Sequence, residues 1–534
     1  MKLTLESIKN ERQSWLGKGF VMPDYDIDKM RENTKKSPEW IHFGAGNIFR
    51  GYIACLADEL IGKGELETGI IAAGSHDPEI IERIYKPYDN LALLAGLRAA
   101  GDRYLRVIAG IAEAAESNGA GLERLKECAR ADSLKMISYT ITEKGYAVRG
   151  IGGEVFDFVK SDIEAGSSGE LVSAMSITAA LLYERFLAGA KPIALVSMDN
   201  CSENGRKLRE SVLFIIEGWV KNGSADKAFL DYAADESRVS FPWSMIDKIT
   251  PRPAQNIADE LTALGIEDMQ PIVTKRNTFI APFVNAEMPQ YLVIEDNFPN
   301  GRPPLEKAGV YMTDRETVGR SERMKVMTCL NPLHTALAVF GCLLGYKKIS
   351  DEMDDPDLKK LVYGLGFTEG LPVVVDPGII SPRDFLNEVL TERLPNSNLP
   401  DTPQRIATDT SQKLAIRFGG TISAYEKQGE AGKLRLIPLV IAAWIRYLTG
   451  IDDNGRSFER ISDPMLTELS EIVSPDWYGH TADSAAVRGL LSNSMLFGTD
   501  LVKAGLADTI IADLNAMLAG KGAVRRTLKN ALTE

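Results

Sequence analysis

The pattern of apolar and polar residues predicts a strand, a tight turn and a helix near the start of the chain. Residues 39–61 contain the apolar run WIHF, then GAGN, and then apolar residues that recur at helical spacing. A second apolar run, at 69–73, ends just before Asp77 and Pro78, which suit the N-cap and the first turn of a helix. The two segments together predict a β-α-β unit.

Two further apolar segments predict strands that alternate with helices. Residues 134–142 and 192–198 are each preceded by helical sequence, LERLKECAR and AALLYERFLAG. Alternating helices and strands favour a mostly parallel sheet. Residues 150–169 are glycine-rich, acidic and weakly patterned, which predicts a surface insertion without a chemical role.

The second half of the chain has a different pattern. After a turn-rich segment at 296–304 the strand signals thin out, and long helical patterns continue to the end. A chain of 534 residues also exceeds what one hydrophobic core usually organises. The sequence therefore predicts an α/β protein with two domains: residues 1–298 with a parallel-rich sheet and insertions, and residues 299–534, mainly α-helical.

Composition and charge restrict the kind of partner. The formal net charge of -13, from 61 basic and 74 acidic side chains, opposes binding to nucleic acid and favours a small-molecule substrate. No apolar run approaches the roughly 20 residues that span a bilayer. The N-terminal sequence is polar and lacks the apolar core of a signal peptide. We therefore expect a cytoplasmic monomer or homodimer with neither a nucleic-acid nor a membrane partner.

Residues that commonly bind metals are sparse. The five cysteines are scattered without a C-x-x-C pair, which indicates reduced thiols and argues against disulfides or a cysteine-rich zinc site. No HEXXH-like pattern is present. The four histidines are His42, His76, His334 and His480. The sequence thus predicts chemistry without a metal ion.

Gly44 and Gly46 are placed as in a dinucleotide-binding turn. They would permit a tight turn and close approach of a pyrophosphate to the start of the next helix. Phe49 occupies the place of the third glycine in G-x-G-x-x-G, so a plain strand-to-helix turn is an equal alternative. Asp77, just past the next strand, could bind ribose hydroxyls and repel a 2′-phosphate, which favours NAD over NADP. Its alternative role is a helix cap only.

An apolar helical segment at 321–346 contains polar residues that need partners or a purpose. They are Glu322, Lys325, Asn331 and His334. Oxidation of a secondary alcohol needs a base for the hydroxyl proton, and a desolvated lysine can serve, so Lys325 is the candidate. Asn331 and Asn200 could donate to the developing alkoxide, and His334 could orient substrate hydroxyls. Spacing alone leaves open a solvated lysine, a helix break and a core histidine.

The same residues carry a resemblance to a known family. The pattern E-x-x-K followed by L-N-x-x-H-T-A-L resembles the active-site helix of the polyol-specific long-chain dehydrogenases and reductases, the mannitol dehydrogenase family. Residues 140–146, 197–205 and 241–251 resemble further stretches of that family, and HFGAGNI with Arg50 resembles its nucleotide turn. The resemblance spans most of the chain. It implies a Rossmann-like N-terminal domain, a mainly helical C-terminal domain, NAD as cofactor and catalysis without zinc.

The resemblance also implies a role for individual residues. Lys325 would be the general acid/base, Asn200 and Asn331 the pair that stabilises the oxyanion, and His334 and Asp247 substrate contacts. The implied cofactor-binding residues, with Asp77, are Gly44, Gly46, Asn47, Ile48, Arg50, Thr142, Glu143 and Lys144. These roles agree with those inferred above from the chemistry of the residues.

One spacing departs from the family pattern. Four residues separate the lysine from the asparagine in the family, whereas five separate Lys325 from Asn331 here. On an α-helix one inserted residue turns the lysine by about 100° relative to the asparagine. A helical bulge would absorb the insertion. Glu322 is implied as a carboxylate near the lysine, so its position depends on the same geometry.

The resemblance limits the substrate to a class. Family members act on mannitol, arabinitol, mannitol-1-phosphate or the uronic-acid pairs mannonate/fructuronate and altronate/tagaturonate. The version TCLNPLHTALAVFG resembles the branch that reduces fructuronate, which favours interconversion of D-mannonate and D-fructuronate. The alternatives are a mannitol 2-dehydrogenase, a tagaturonate reductase, a mannitol-1-phosphate 5-dehydrogenase and, from another class, a noncatalytic NAD-binding protein.

Residues 392–418 resemble the family's substrate-side segment. They offer Arg393, Arg405 and Lys413 as partners for a carboxylate or a phosphate. The alternative for all three is ordinary surface charge. We expect a cation at the far end of the substrate site if the substrate is a sugar acid.

Overall fold

The structure, a computed structural model, describes residues 1–74, 77–150 and 152–533. His76 lies outside the described residues. The chain divides into two compact units. The first comprises Met1–Arg98 and Asp102–Gly319, and the second Ala99–Gly101 and Arg320–Glu534.

A six-stranded parallel sheet forms the centre of the first unit. Its strands are β1 (Trp40–Phe43), β2 (Ile70–Gly74), β3 (Ile111–Glu116), β4 (Met136–Tyr139), β5 (Ile193–Ser197) and β6 (Val239–Ser240). They lie in the order β3-β2-β1-β4-β5-β6, which is that of a Rossmann dinucleotide-binding fold. The strands predicted at 40–43, 69–73, 134–142 and 192–198 are confirmed as β1, β2, β4 and β5, with β4 shorter than predicted.

The sheet is apolar because helices cover both of its faces. Every residue of β1, β4 and β5 is buried, as expected for parallel strands with two covered faces. One covering layer includes Trp219 and Phe229, both fully buried. The uninterrupted apolar runs, rather than an alternating pattern, are what made these strands predictable.

The remaining strands of the first unit form three smaller sheets. Their members are Phe20–Val21, Arg103–Ile108, Ala92–Leu97 and Phe283–Glu287 in one, Ser244–Asp247, Tyr291–Glu295 and Tyr311–Thr313 in another, and Ile272–Val273 with Phe279–Ile280 in the third. Tyr311–Thr313 pairs in parallel with Tyr291–Glu295. Because of this pairing the first unit extends past the predicted boundary at 298/299 to Gly319.

The segment at 150–169 is only partly the surface insertion that the sequence predicts. It contains the helix Asp157–Ala165, in which Val159 is fully buried in the core. The buried Asp162 carboxylate accepts hydrogen bonds from the backbone N–H of Val172 and Ser173, both at 2.9 Å. The prediction failed here because a nine-residue helix with two buried positions, one of them an aspartate, leaves a weak periodic signal.

Helices complete the first unit. The α-helices are Leu5–Asn10, Arg12–Gly17, Ile27–Lys36, Ala54–Gly62, Pro78–Ile80, Gly119–Arg130, Glu143–Tyr146, Asp157–Ala165, Ala174–Leu187, Asn204–Lys221, Lys227–Ala234 and Gln255–Ala263. Shorter π- and 3-10-helical segments are Phe49–Ile53, Ile81–Tyr85, Lys86–Tyr88 and Leu305–Ala308. The helix Arg315–Met324 follows at the boundary of the units.

The second unit is helical, as predicted. Its α-helices are Asn331–Leu344, Ile349–Met353, Pro356–Tyr363, Pro382–Glu388, Pro403–Ala407, Gly420–Lys427, Leu436–Leu448, Leu466–Ile472, Ser484–Leu491, Ser494–Phe497, Ala507–Leu518 and Ala523–Ala531. The π-helical segments are Lys325–Cys329, Gly364–Gly370, Val389–Arg393 and Ala415–Gly419. The 3-10 segments are Leu371–Val373, Thr410–Gln412, Ala431–Lys433 and Pro475–Trp477.

A completely buried helix, Leu436–Leu448, forms the centre of the second unit. Its first N–H groups need acceptors, because the start of a buried helix cannot use water. The Glu369 carboxylate supplies them by accepting hydrogen bonds from Arg435, Leu436 and Ile437 at 2.6–2.8 Å. Burial raises the pKa of Glu369, and these three hydrogen bonds oppose that rise.

One stretch of the described chain is long and apolar enough to cross a membrane. It is the continuous helical region Arg315–Leu344, and 78% of its most apolar window is buried inside the protein. The core helix of a globular domain has the same length and composition.

Candidate active site

The turn after β1 requires glycine at its first position. Gly44 has a φ of +110°, and a Cβ atom on it would lie 2.1 Å from the carbonyl oxygen of Thr140. A Cβ atom on Gly46 would meet nothing within 4 Å. Gly44 thus allows the chain to pass close to the end of β4, while Gly46 leaves open space at the carboxyl edge of the sheet, where dinucleotides bind in this fold.

The missing third glycine has a structural explanation. The helix after the turn begins as a π-helical segment, Phe49–Ile53, and Phe49 stacks on His42 with ring centroids 4.3 Å apart. Gly51 makes the close contact instead, because a Cβ atom there would lie 2.7 Å from Val284 Cγ1. The wide helical turn therefore moves the tightly packed position from residue 49 to residue 51.

Arg50 orients the turn from inside the protein. Its guanidinium is buried and donates to Ala281 O at 2.7 Å and to Asn47 Oδ1 at 3.0 Å. Burial lowers the pKa of Arg50 below its ordinary value. Ile48 lies between Asn47 and Arg50 in the chain and is half-buried. The three residues implied by the resemblance at this turn are thus connected, with Arg50 holding the Asn47 side chain.

Asp77 caps the helix after β2. Its Oδ1 accepts from the backbone N–H of Glu79 at 3.2 Å, and its Oδ2 accepts from the Thr274 hydroxyl at 2.5 Å. Burial raises its pKa, but the hydrogen bonds from Thr274 and Thr278 outweigh this effect and hold it below the ordinary value. The carboxylate is therefore ionised at the carboxyl edge of the sheet, and the capping role that the sequence left open is present.

The loop after β4 holds a strained residue. Thr142 has a φ of +65°, an unfavourable region for a β-branched residue. The Asp199 carboxylate fixes this backbone by accepting from the N–H of Ile141 at 2.8 Å and of Thr142 at 3.0 Å. Glu143 and Lys144 follow, both exposed. The loop thus presents its side chains at the same edge of the sheet as the glycine turn.

Asn200 follows Asp199 directly after β5 and its side chain is exposed. The buried Asn204 stabilises this turn: its Nδ2 donates to Asp199 O and Ser244 O, and its Oδ1 accepts from Ser244 N, each at 3.0 Å. Asp247 lies at the end of the strand Ser244–Asp247 and is buried. The sequence analysis missed Asp199 and Asn204, although both stand beside Asn200 directly after a buried strand.

In the second unit the helix that carries Lys325 contains a bulge. The segment Lys325–Cys329, called here the lysine segment, is π-helical, and Leu330 N–H donates to Lys325 O at 3.1 Å. A π-helical turn accommodates one residue more than an α-helical turn. The structure thus contains, between Lys325 and Asn331, the kind of bulge that would absorb the extra residue.

Lys325 is buried, with 3% of its surface exposed. Glu322 lies one turn earlier and is half-buried. The role implied for Glu322 stays a prediction.

Asn331 and His334 share a face of the following helix. Asn331 is its first residue, and His334 and Thr335 lie three and four residues later, above it on the same side. His334 Nε2 is 3.5 Å from Asp401 Oδ2, an ion-pair distance without hydrogen-bond geometry, and it is buried without a hydrogen-bond partner. Burial raises the pKa of Asp401, but His334 and Arg405 outweigh this and lower it.

The three predicted anion-binding residues differ in their surroundings. Arg393 ends the π-helical segment Val389–Arg393 and is buried. Arg405 has an exposed side chain and forms an ion pair with Asp401. Lys413 is half-buried and donates to Thr408 O, and burial, followed by the nearby Arg417, lowers its pKa. The sequence analysis missed Arg417, although it lies within residues 392–418.

Comparison with protein families supports the same division of the chain. A model described as the mannitol dehydrogenase Rossmann domain matches residues 38–307. A second, described as the mannitol dehydrogenase C-terminal domain, matches residues 318–518. Together the two models cover most of the chain.

Individual relatives match over nearly their full length. The chain is 52% identical to the D-mannonate oxidoreductase of Thermotoga maritima over 539 residues, which covers 100% of this chain and 99% of that protein. It is 29% identical to the D-mannonate oxidoreductase of Escherichia coli, with 88% and 91% covered. The solved mannitol 2-dehydrogenase of Pseudomonas fluorescens, a ternary complex with NAD and D-mannitol, superposes with a TM-score of 0.71 at 25% identity and full coverage of both chains.

Proposed function

This chain belongs to the mannitol dehydrogenase family, and from this premise we propose that it is an NAD-dependent oxidoreductase that interconverts D-mannonate and D-fructuronate. The observation that carries the proposal is the 52% identity, over the whole chain, to a protein named D-mannonate oxidoreductase. The reaction exchanges a secondary alcohol and a ketone.

NAD is the proposed cofactor, and the residues at the carboxyl edge of the sheet fit it. The open space at Gly46 and the start of the helix after it suit a pyrophosphate. The ionised Asp77 suits ribose hydroxyls and disfavours a 2′-phosphate. Thr142, Glu143 and Lys144 would line the same edge. When bound, NAD accepts the hydride that leaves the alcohol carbon and returns it in the reverse direction.

Lys325 is the proposed acid/base. During oxidation its Nζ would take the hydroxyl proton while the carbon–hydrogen bond breaks, and during reduction it would return that proton to the ketone oxygen. Asn331, at the start of the next helix, and Asn200 would donate hydrogen bonds to the oxygen as negative charge develops on it. The burial of Lys325 and the π-helical turn between Lys325 and Asn331 support this assignment.

His334 and Asp247 are the proposed substrate contacts. The buried Nε2 of His334, which lacks a hydrogen-bond partner, supports a role in holding a substrate hydroxyl. Asp247 is buried at a strand end, a position that suits a second hydroxyl contact. No metal takes part in this proposal, and the described residues contain no group of three or more His, Cys, Asp and Glu arranged to hold one. A cytoplasmic location and a monomeric or dimeric state stay predictions from the sequence.

A cofactor-absorbance assay tests the proposal. Purified protein is mixed with NADH or NADPH and with fructuronate, tagaturonate, fructose or fructose-6-phosphate. We expect rapid NADH oxidation with fructuronate and its loss in Lys325→Ala. Lys347→Ala, a change at an exposed lysine of the same unit, is the matched control and keeps full activity.

Each other outcome selects an alternative. Preference for fructose would identify a mannitol 2-dehydrogenase, preference for tagaturonate a tagaturonate reductase, and preference for fructose-6-phosphate a mannitol-1-phosphate 5-dehydrogenase. NADH binding without turnover of any substrate would identify a noncatalytic NAD-binding protein. Full activity in Lys325→Ala would contradict the assignment of the base.

A further inference from the structure

Arg417 lies in a π-helical segment that is packed tightly in the second unit. The segment Ala415–Gly419, called here the arginine segment, contacts the lysine segment. A Cβ atom on Gly419 would lie 2.5 Å from Phe497 O, and the Thr421 hydroxyl just beyond the segment donates to Met327 O at 3.3 Å. The backbone that carries Arg417 is therefore held from two sides.

Among the residues that the structure describes, the guanidinium of Arg417 has no acidic partner. Its Nη1 donates to the Thr335 hydroxyl, and no carboxylate within the described residues lies at ion-pair distance from it. The residue as a whole is half-buried. Burial lowers the pKa of Arg417 to about 10, so the group stays a cation near neutral pH. A half-buried guanidinium with few acceptors in the protein suits a ligand that supplies further acceptors and a negative charge.

Arg185 and Arg435 show how the protein itself can satisfy a guanidinium. Arg185 donates to a set of backbone carbonyl oxygens, including Ala129 O and Leu134 O at 2.9 and 3.0 Å. Arg435 forms an ion pair with Asp513 at 2.6 Å. These two arginines thus have several acceptors or a carboxylate within the protein, whereas the guanidinium of Arg417 donates to one hydroxyl group.

Thr335 connects Arg417 to the helix face that begins with Asn331. The Thr335 hydroxyl accepts from Arg417 and donates to Asn331 O at 2.9 Å. Residues four apart lie on the same side of a helix, and His334 is adjacent on that side. Arg417 therefore reaches the face that presents the two proposed substrate-side residues, Asn331 and His334.

We propose that Arg417 binds the carboxylate of a sugar-acid substrate and so selects uronates over neutral ketoses. This inference rests on the proposed function. In mannonate the carboxylate lies at the opposite end of the carbon chain from the alcohol that is oxidised, so a separate cation is needed for it. A guanidinium with two free N–H groups can bind a carboxylate in a planar, bidentate manner.

The neighbouring cations are less suited to this task. Arg405 is exposed, and Asp401 already neutralises its charge. The Lys413 ammonium donates to a backbone carbonyl, and burial lowers its pKa. Unlike Arg405 and Lys413, Arg417 donates to a hydroxyl group instead of an anion or a carbonyl.

Steady-state kinetics with fructuronate and NADH test this inference in the full-length enzyme. We expect Arg417→Met to raise the KM for fructuronate by about 10- to 100-fold, the range of a hydrogen bond to a charged group. The kcat should change by less than about threefold, and NADH affinity, measured by fluorescence, should be unchanged. Arg417→Lys should recover part of the loss, because it keeps the charge without the planar geometry.

Two controls separate recognition from stability. Arg383→Met removes an exposed arginine of the same unit and should leave the KM unchanged. Thr335→Val removes the hydroxyl that orients Arg417 and should raise the KM for fructuronate in the same direction, even if Arg417→Met is too unstable to purify.

The outcomes distinguish the two proposals. The role of Arg417 would be overturned if Arg417→Met and Thr335→Val both had a KM for fructuronate within twofold of wild type. It would also be overturned if kcat fell by the same factor as KM rose. A wild-type enzyme that reduces fructose but no uronate would instead overturn the proposed function, and the inference with it.

Discussion

At the scale of single residues, the polar groups near the carboxyl edge of the sheet are held in place by buried neighbours. Asp199 illustrates this: its carboxylate accepts from two backbone N–H groups and from the Tyr146 hydroxyl at 2.6 Å. Burial raises the pKa of Asp199, and these hydrogen bonds oppose the rise. The same contacts hold Thr142 at its unfavourable φ of +65°. A buried carboxylate therefore stabilises a strained loop next to Asn200.

The buried His42 predicts a pH-dependent stability. Burial lowers its pKa from 6.5 to about 3, so between these values the unfolded chain binds a proton that the folded protein does not. The contribution of His42 to the free energy of unfolding is therefore fully present above pH 6.5. Below that pH the free energy of unfolding falls by up to about 1.4 kcal/mol per pH unit because of this residue. Urea unfolding of the wild type and His42→Gln at pH 7.5, 6 and 5 measures the slope.

His480→Gln is the control for this experiment, because His480 is exposed. It should keep the wild-type slope, whereas His42→Gln should lose part of it. Identical slopes in all three proteins would contradict the assignment to His42.

Asp77 predicts the cofactor preference. In Asp77→Ser the serine can still cap the helix, but the negative charge is lost. We expect the KM for NADH to rise by about tenfold and the KM for NADPH to fall, because a 2′-phosphate is no longer repelled. Thr274→Val, which removes the hydrogen bond to Asp77 but not its charge, should leave the preference for NADH intact. If the ratio of the KM values for NADH and NADPH were unchanged in Asp77→Ser, Asp77 would act only as a helix cap.

At the scale of elements, π-helical turns recur where the proposed chemistry lies. Phe49–Ile53 follows the glycine turn, Lys325–Cys329 carries the proposed base, and Ala415–Gly419 carries Arg417. A π-helical turn widens the helix by one residue and leaves a hydrogen bond of the i→i+5 type, as between Leu330 and Lys325. Each such turn redirects one side chain without ending the helix. Hydrophobic spacing does not reveal these turns, because their residues are as apolar as those of an α-helix.

The lysine segment gives a direct test of this geometry. Deleting Val326 should convert the π-helical turn into an α-helical one and leave four residues between Lys325 and Asn331, so that the lysine keeps its position relative to the asparagine. We expect kcat/KM of the deletion variant to stay within about tenfold of wild type, whereas Lys325→Ala should lose about 100- to 10,000-fold, the usual contribution of a positioned acid/base. Circular dichroism and a thermal melt check that the variant is folded. A folded deletion variant that binds NADH but is as inactive as Lys325→Ala would contradict the proposed role of the bulge.

At the scale of the whole molecule, the sequence predicted what long apolar runs and residue chemistry determine. Strands β1, β2, β4 and β5 were predictable because they are buried on both faces, and the helical second unit because its periodicity is long. The first compact unit continues past the predicted boundary at 298/299 to Gly319 and includes the short strand Tyr311–Thr313, which pairs with Tyr291–Glu295 and has too few residues to give a signal of its own. Arg417 was missed because its significance depends on the lack of an acidic partner, which only the three-dimensional arrangement reveals.

The two-unit organisation leads to a prediction about the first unit alone. Its core, its central sheet and the proposed NAD-binding residues all lie before Arg315, where the helix leading to Lys325 begins. A fragment of residues 1–314 should therefore unfold cooperatively and bind NADH with a Kd within about tenfold of the full-length protein, but oxidise none of it with fructuronate. Tryptophan-to-NADH energy transfer and a thermal melt measure these properties. Full-length Lys325→Ala is the matched control, because it should also bind NADH without oxidising it in the presence of fructuronate. A folded fragment that does not bind NADH would contradict the assignment of the cofactor site to this unit, since Gly44, Asp77 and Thr142 are all present in it.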